Sequence, residues 1–242
     1  MGKTTSAINI SAALATSGKS VVLIDLDPQA NATSGMSIEP EGVTIYECLM
    51  ERQLVKSAIL PTCIHGLGII PSKGDLVGAE IELSNLTDRE TILKSIVEEI
   101  QSHDFVIIDC PPTFGLLTIN ALVAASNLIV PVQCEYYAME GLGRLVGNIE
   151  RIRDSLNQDL ELQGILLTMY DSRINLSRQV QSEIREYFKE KVFQAVIPRN
   201  VALAEAPSHG KPVLSYNAAS SGAKAYLDLA KEILANGKES IG

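Results

Sequence analysis

The chain has 242 residues, of which 46% are hydrophobic, and a formal net charge of −9. This length and composition suffice for a buried core, and no apolar run approaches the roughly 18 residues that span a bilayer. The acidic balance argues against a general binder of polyanions, and the N-terminus lacks the layout of a signal peptide. The four cysteines form no C-x-x-C pair, so we expect reduced thiols in a cytoplasmic protein.

The first residues, Gly2-Lys3-Thr4-Thr5, have the sequence that ends a phosphate-binding loop. In such loops backbone N–H groups and a lysine hold phosphate oxygens, and the hydroxyl that follows holds Mg²⁺. The helix predicted after them would direct its positive end toward the same anion. Taken alone, the triplet is weak evidence and fits an ordinary helix start better than a phosphate loop, so its weight depends on the rest of the chain.

Short β-branched runs alternate with segments of helical spacing along the whole sequence, and no repeat or linker interrupts them. This order predicts α/β architecture, with a doubly wound, mostly parallel sheet, helices on both faces, and one domain over residues 1–242. The predicted strands cover residues 20–25, 67–71, 105–109, 128–132, 164–169 and 192–197, and the predicted helices cover residues 4–15, 44–51, 88–101, 117–125, 139–156, 176–189 and 221–235.

Aspartates follow two of the predicted strands: Asp25 and Asp27 after the first, and Asp109 after the third. Ligands of doubly wound sheets bind at the carboxyl ends of the strands, where acids beyond a phosphate loop hold the Mg²⁺ of a nucleotide. One aspartate at a strand end more often caps a turn. Three of them in a chain that also carries Gly2-Lys3-Thr4 favour a nucleotide site.

Several motifs together make the chain resemble the ParA/Soj branch of the deviant-Walker P-loop ATPases, in the MinD/ParA superfamily. They extend from residue 2 to the last predicted helix, so the resemblance covers nearly the whole chain. These motifs are residues 2–5, 22–35 (VLIDLDPQANATSG), 107–112 (IIDCPP), 115–122 (GLLTINAL), 131–138 (PVQCEYYA), 197–200 (IPRN) and 205–212 (EAPSHGKP).

The resemblance implies ATP and Mg²⁺ as the bound cofactors. It makes Lys3 a catalytic contact of the β- and γ-phosphates, and Thr4 a Mg²⁺ ligand. Gly2 and Thr5 would add further phosphate contacts. Phosphoryl transfer depends mainly on such positioning and charge neutralisation.

For the acids, the resemblance implies that Asp27 is catalytic and orients the attacking water. Asp25 would support Mg²⁺ through water, and Asp109 would be the Walker B aspartate at the metal. The Pro198-Arg199-Asn200 segment corresponds to the wall of the adenine pocket.

The implied function is an ATPase of chromosome or plasmid partitioning, located in the cytoplasm on the nucleoid. ATP would drive a homodimer that binds DNA without sequence specificity, and a ParB-like partner would stimulate hydrolysis; no membrane is involved. Ala202 departs from the arginine that relatives often carry in the DNA-binding surface, and each lost cation weakens phosphate contacts. The remaining candidate DNA contacts are Arg173, Arg178, Arg185, Lys189 and Arg199, each of which also fits a solvated surface position.

A second departure concerns the phosphate loop, whose front half and preceding strand are not in these 242 residues. We interpret Met1 as an internal position of a longer reading frame. Without the strand, we expect the edges of its neighbours to be open. We also expect residues 1–242 alone to bind ATP poorly and not to hydrolyse it.

Three other functions remain open. A MinD-like membrane-cycling ATPase would need a basic amphipathic tail, whereas Tyr226, Leu229 and Ile233 form a stripe suited to core packing. An iron–sulfur reductase would need a second cysteine besides Cys134. A non-catalytic homologue that keeps only the fold is the third.

Overall fold

The computed structural model describes residues 2–239, and the side chains of residues 2–236. Strands and helices alternate through most of the chain, as the sequence predicts. The strands are β1 (Val21–Asp25), β2 (Leu60–Pro61), β3 (Leu67–Ile70), β4 (Phe105–Asp109), β5 (Asn127–Gln133), β6 (Glu161–Tyr170) and β7 (Val192–Pro198). The helices are α1 (Lys3–Thr16), α2 (Asn31–Gly35), α3 (Ile45–Met50), α4 (Val55–Ala58), α5 (Leu76–Ser84), α6 (Ile92–Glu98), α7 (Leu116–Ala124), α8 (Ala138–Ser155), α9 (Asn175–Phe188), α10 (Val201–Glu205), α11 (Val213–Tyr216) and α12 (Ser221–Glu239).

The described strands form two sheets, with the orders β2-β3-β1-β4 and β5-β6-β7. All strand pairs are parallel except the short β2–β3 pair. β1 lies inside the first sheet and all five of its residues are buried, which is the environment that unbroken apolar runs predict. The predicted α/β class with a mostly parallel sheet is confirmed.

The inner edges of the two sheets are open in the described part of the chain. β4 pairs only with β1, and β5 pairs only with β6. The first four residues of β4 are half-buried, whereas the neighbouring β1 is wholly buried. The expected open strand edges are therefore present, on β4 and β5.

Helix α1 packs against α12 and against strands of both sheets, and α12 packs against β7. A single core cluster joins Leu23 of the first sheet and Leu166 of the second with the α12 residues Tyr226, Leu229 and Ile233. These three α12 side chains are buried, so the predicted packing stripe is confirmed. Within residues 2–239, no helix combines the length and the apolar character needed to cross a membrane.

The sequence prediction was wrong in the segments between β1 and β4. α2 and α5 were not predicted, and α6 is shorter than the helix expected over residues 88–101. The side chain of Asn120 accepts from the Leu93 N–H and donates to the Arg89 carbonyl, and so holds the segment before α6 against α7. Such contacts between distant segments leave no periodic signal.

Candidate functional site

The N-terminus of α1 lies between the carboxyl ends of the two sheets. Lys3 Nζ donates a hydrogen bond of 2.8 Å to the carbonyl of Pro111, just after β4. Gly2 precedes the helix with φ 89°, a backbone conformation that favours glycine. A Cβ atom at Gly2 would lie 3.4 Å from Thr168 Oγ1 on β6. The free N–H groups of a 14-residue helix therefore point to the region where an anion would bind.

Asp109 lies beside Asp25 at the ends of the paired strands β4 and β1. It is 1% exposed, and neither carboxylate oxygen has a hydrogen-bond partner among the described residues. The pKa of Asp109 is raised to about 7: burial is the main cause and the charges of Asp25 and Asp27 act in the same direction, whereas the nearby Thr4 hydroxyl and the Lys3 charge oppose the rise. A buried carboxylate without partners is costly unless a cation binds it.

Asp25 is equally buried, but its carboxylate is fully engaged. Oδ1 accepts from the Asp27 N–H at 3.2 Å. Oδ2 accepts from the Thr33 N–H at 2.8 Å and from the Thr33 hydroxyl at 2.7 Å. Burial raises the pKa of Asp25, and the hydrogen bonds from Thr33 oppose that rise. Asp25 is thus an anchor for the segment that leads into α2.

Asp27 lies in the turn between β1 and α2 and is buried. Its Oδ1 accepts from the Gln29 N–H at 2.9 Å, whereas Oδ2 accepts no hydrogen bond among the described residues. Its carbonyl accepts from the Ala30 N–H and from the Ser72 hydroxyl. One carboxylate oxygen is therefore fixed and the other remains available to a water molecule.

The donor set suits Mg²⁺ rather than a metal held by protein ligands alone. The described side chains include no group of three or more His, Cys, Asp and Glu that could hold a metal ion. The unpaired Asp109 oxygens and the Thr4 hydroxyl are hard oxygen donors, and Mg²⁺ commonly binds one or two such groups together with waters and phosphates. We therefore assign these two residues as its candidate ligands.

The predicted adenine segment begins at Pro198, the last residue of β7. Pro198 pairs with Tyr170 at the end of β6, and the Arg199 N–H donates to the Tyr170 carbonyl at 2.9 Å. Asn200 Nδ2 donates to Ser221 Oγ, but Asn200 Oδ1 is buried without a partner in the described residues. This oxygen is a free acceptor suited to an amino group.

The candidate DNA contacts do not form one free basic surface. Arg173 forms a two-bond ion pair with Asp171, and this pair lowers the pKa of Asp171 to about 2. Arg185 donates to the carbonyls of Phe193 and Gln194 on β7. The remaining candidates, Arg178, Lys189 and Arg199, are exposed. Arg178 also contacts the side chain of Asn175. Ala202 is buried in the core cluster rather than at the surface.

Sequence reasoning missed Thr33 and Ser72. Thr33 lies within the 22–35 motif, but no local pattern shows that it contacts Asp25. Ser72 follows β3, and it contacts Thr33 and Asp27, which lie 39 and 45 residues before it in the sequence. Only the parallel pairing of β3 with β1 brings it to the site.

A parallel sheet with a glycine-led helix terminus, a lysine and a buried unpaired aspartate at one edge defines a P-loop nucleotide-binding protein. A family model described as an AAA domain matches residues 1–162. The chain is 51% identical to the sporulation initiation inhibitor protein Soj of Bacillus subtilis, over 98% of this chain and 95% of that protein. It is 46% identical to the chromosome partitioning protein ParA of Myxococcus xanthus, over 97% of this chain and 84% of that protein. The chain therefore belongs to the Soj/ParA family of AAA-domain ATPases.

Solved structures show the same fold. Cobyrinic acid a,c-diamide synthase from Mycobacterium smegmatis, solved with ADP and magnesium, is 35% identical with a TM-score of 0.85, covering 99% of this chain and 91% of that one. A plasmid partition protein of Borrelia burgdorferi bound to AMPPNP has a TM-score of 0.81 at 23% identity, over 97% and 94%. The latter likeness concerns the fold alone.

The structure also bears on the iron–sulfur alternative. Cys134 is buried, and burial raises the pKa of its thiol to about 11, so the thiolate that a cluster requires is disfavoured.

Proposed function

We propose that this protein is a Mg²⁺-dependent ATP hydrolase that acts in chromosome partitioning. The proposal rests on the two carboxylate oxygens of Asp109, which have no hydrogen-bond partner among the described residues. They are buried at the sheet edge where the α1 N-terminus and Lys3 lie. The names of the relatives and the ADP and magnesium in the Mycobacterium smegmatis structure support it.

Each residue of the site has a separable task in this proposal. The α1 N–H groups at Thr4 and Thr5, with Lys3, bind phosphate oxygens. Thr4 and Asp109 hold the metal and Asp25 supports it through water; when bound, the metal neutralises charge on the phosphates. Asp27 directs its free Oδ2 to the attacking water. Pro198, Arg199 and Asn200 line the adenine position, where Asn200 Oδ1 accepts from the base.

The remaining parts of the proposal come from the family. They are a single ATPase domain, an ATP-dependent homodimer, a ParB-like partner that stimulates hydrolysis, and non-specific DNA binding on the nucleoid. Arg178, Lys189 and Arg199 are the better DNA candidates, because the Arg173 guanidinium pairs with a carboxylate and that of Arg185 bonds two backbone carbonyls, whereas that of Arg178 contacts only the neutral side chain of Asn175. The chain binds no membrane in this account, because the apolar face of α12 packs in the core.

The test is ATP turnover with Mg²⁺, DNA and a candidate partner. It compares the wild-type protein with its Lys3→Ala and Asp109→Asn variants. We expect turnover in the wild type and a loss of about 100-fold or more in each variant, because each removes charge stabilisation of the transition state. Absence of turnover in the whole protein under all of these conditions would overturn the proposal and favour a non-catalytic homologue.

A further inference from the structure

Four residues at the end of β1 and β3 form a continuous hydrogen-bonded chain. Asp25 accepts from the Thr33 hydroxyl, Thr33 Oγ1 accepts from the Ser72 N–H at 2.9 Å, and Ser72 Oγ donates to the Asp27 carbonyl at 2.9 Å. The Asp27 N–H donates to Asp25 Oδ1 at 3.2 Å. The chain therefore closes into a ring of Asp25, Thr33, Ser72 and Asp27.

All four residues of the ring are buried. Hydrogen bonds in a buried ring are shielded from competing water, and a member that loses its partner cannot find a replacement. The Thr33 hydroxyl is the central member, since it donates to Asp25 and accepts from Ser72. Its loss would break the ring at two bonds.

The ring fixes the backbone of Asp27 but leaves one of its carboxylate oxygens free. The Asp27 N–H and carbonyl are both bonded within it, while Gln29 N–H holds Oδ1. Ala30, which closes the turn, has φ 52°, a conformation that is uncommon for a non-glycine residue and must be held by its surroundings. The ring thus fixes the backbone of Asp27 and the Gln29 N–H fixes Oδ1, and together they set the direction of Oδ2.

We propose that Thr33 and Ser72 are positioning residues, which orient Asp27 toward the attacking water by holding this ring closed. In this account Asp25 serves as the fixed point of the ring. The inference rests on the proposed ATP hydrolysis, to which it adds two residues that need not touch the nucleotide.

The chain offers matched variants to test the ring. Thr33→Val keeps the shape of the side chain but removes the hydroxyl, whereas Thr33→Ser keeps the hydroxyl. Ser72→Ala removes the second hydroxyl. Ser11→Ala is the control, because Ser11 Oγ is also buried but has no partner among the described residues.

The first measurement is steady-state ATP hydrolysis of the whole protein. We expect Thr33→Val and Ser72→Ala to lower kcat about tenfold or more with KM for ATP within about twofold, because misdirecting a catalytic group affects the transition state more than binding. Thr33→Ser and Ser11→Ala should keep kcat within about twofold of the wild type. A kcat within twofold for Thr33→Val, with an active wild type, would overturn the inference while leaving ATP hydrolysis established.

The second measurement is amide hydrogen exchange in the absence of nucleotide. It does not depend on catalysis. Exchange at the Asp27 and Gln29 N–H groups should accelerate about tenfold in Thr33→Val and Ser72→Ala and stay unchanged in Thr33→Ser and Ser11→Ala. Unchanged exchange in the first two variants would refute the ring as a positioning device. If the wild type does not hydrolyse ATP, the proposed function fails, and with it the catalytic role of the ring, whatever the exchange rates show.

Discussion

Asp25 and Asp109 occupy equivalent positions on neighbouring parallel strands, yet their surroundings differ. Each is the last residue of its strand, the two are partners in the β1–β4 register, and both are buried. Asp25 accepts three hydrogen bonds, whereas both oxygens of Asp109 have no partner in the described residues. Two identical side chains in one sheet edge therefore serve different purposes.

The difference comes from the loops that follow the strands. The loop after β1 turns back so that Thr33 meets Asp25. The loop after β4 proceeds through Pro111 and Pro112, whose nitrogens carry no hydrogen to donate, and its Pro111 carbonyl contacts Lys3. We infer that the first aspartate stabilises the fold and that the second is kept available for a cation.

The largest effect should come from Asp25→Asn. The asparagine NH₂ would replace one carboxylate oxygen and face hydrogen-bond donors. The buried N–H of Asp27, or the N–H and hydroxyl of Thr33, would then lose its acceptor. We expect the free energy of unfolding to fall by about 4 kcal/mol, since bonds to a charged group and the desolvation of orphaned donors are both lost. Urea denaturation measures this change, and a loss below about 1 kcal/mol would show that Asp25 is not an anchor.

Asp109→Asn should instead raise the free energy of unfolding, and by a smaller amount. A carboxyl group whose pKa rises from 3.8 to about 7 on folding binds a proton as the chain folds. It therefore lowers the free energy of unfolding as the pH rises from about 4 through about 7, by up to about 4 kcal/mol. Replacing it with a neutral amide should raise the free energy of unfolding by about 2 kcal/mol at pH 8 without metal, because the amide must still be desolvated.

The same variant provides a pH test. Urea denaturation of the wild type in a chelator, at pH 5 and at pH 8, should show the expected loss of stability at the higher pH, and Asp109→Asn should show less of it. Equal pH dependence in the two proteins would contradict a raised pKa at Asp109.

Much of the site could be predicted from the sequence because its signals are local. A run of β-branched residues that ends in aspartate predicted β4 to the residue, and the same pattern placed Asp25 and Asp109 at one sheet edge. The Gly2-Lys3-Thr4 triplet predicted the helix terminus, whose first helical residue is Lys3.

The division of roles could not be predicted, because it depends on contacts between distant segments. Ser72 reaches Asp27 only through the pairing of β3 with β1. Arg185 was a DNA candidate by charge alone, yet its guanidinium binds carbonyls of β7 across the α9–β7 turn. A sequence shows which side chains are charged, but it does not show which groups of the folded chain they bind.

The most direct test is the affinity of the whole protein for a fluorescent ATP analogue with and without Mg²⁺, in the wild type, Asp109→Asn and the Ser11→Ala control. We expect Mg²⁺ to tighten binding by about tenfold or more in the wild type and the control, because in our proposal the unpaired Asp109 carboxylate would hold the metal on the phosphates. In Asp109→Asn the metal-free affinity should be retained and the gain from Mg²⁺ lost. An equal gain from Mg²⁺ in Asp109→Asn would contradict the assignment of Asp109 as the metal-binding aspartate.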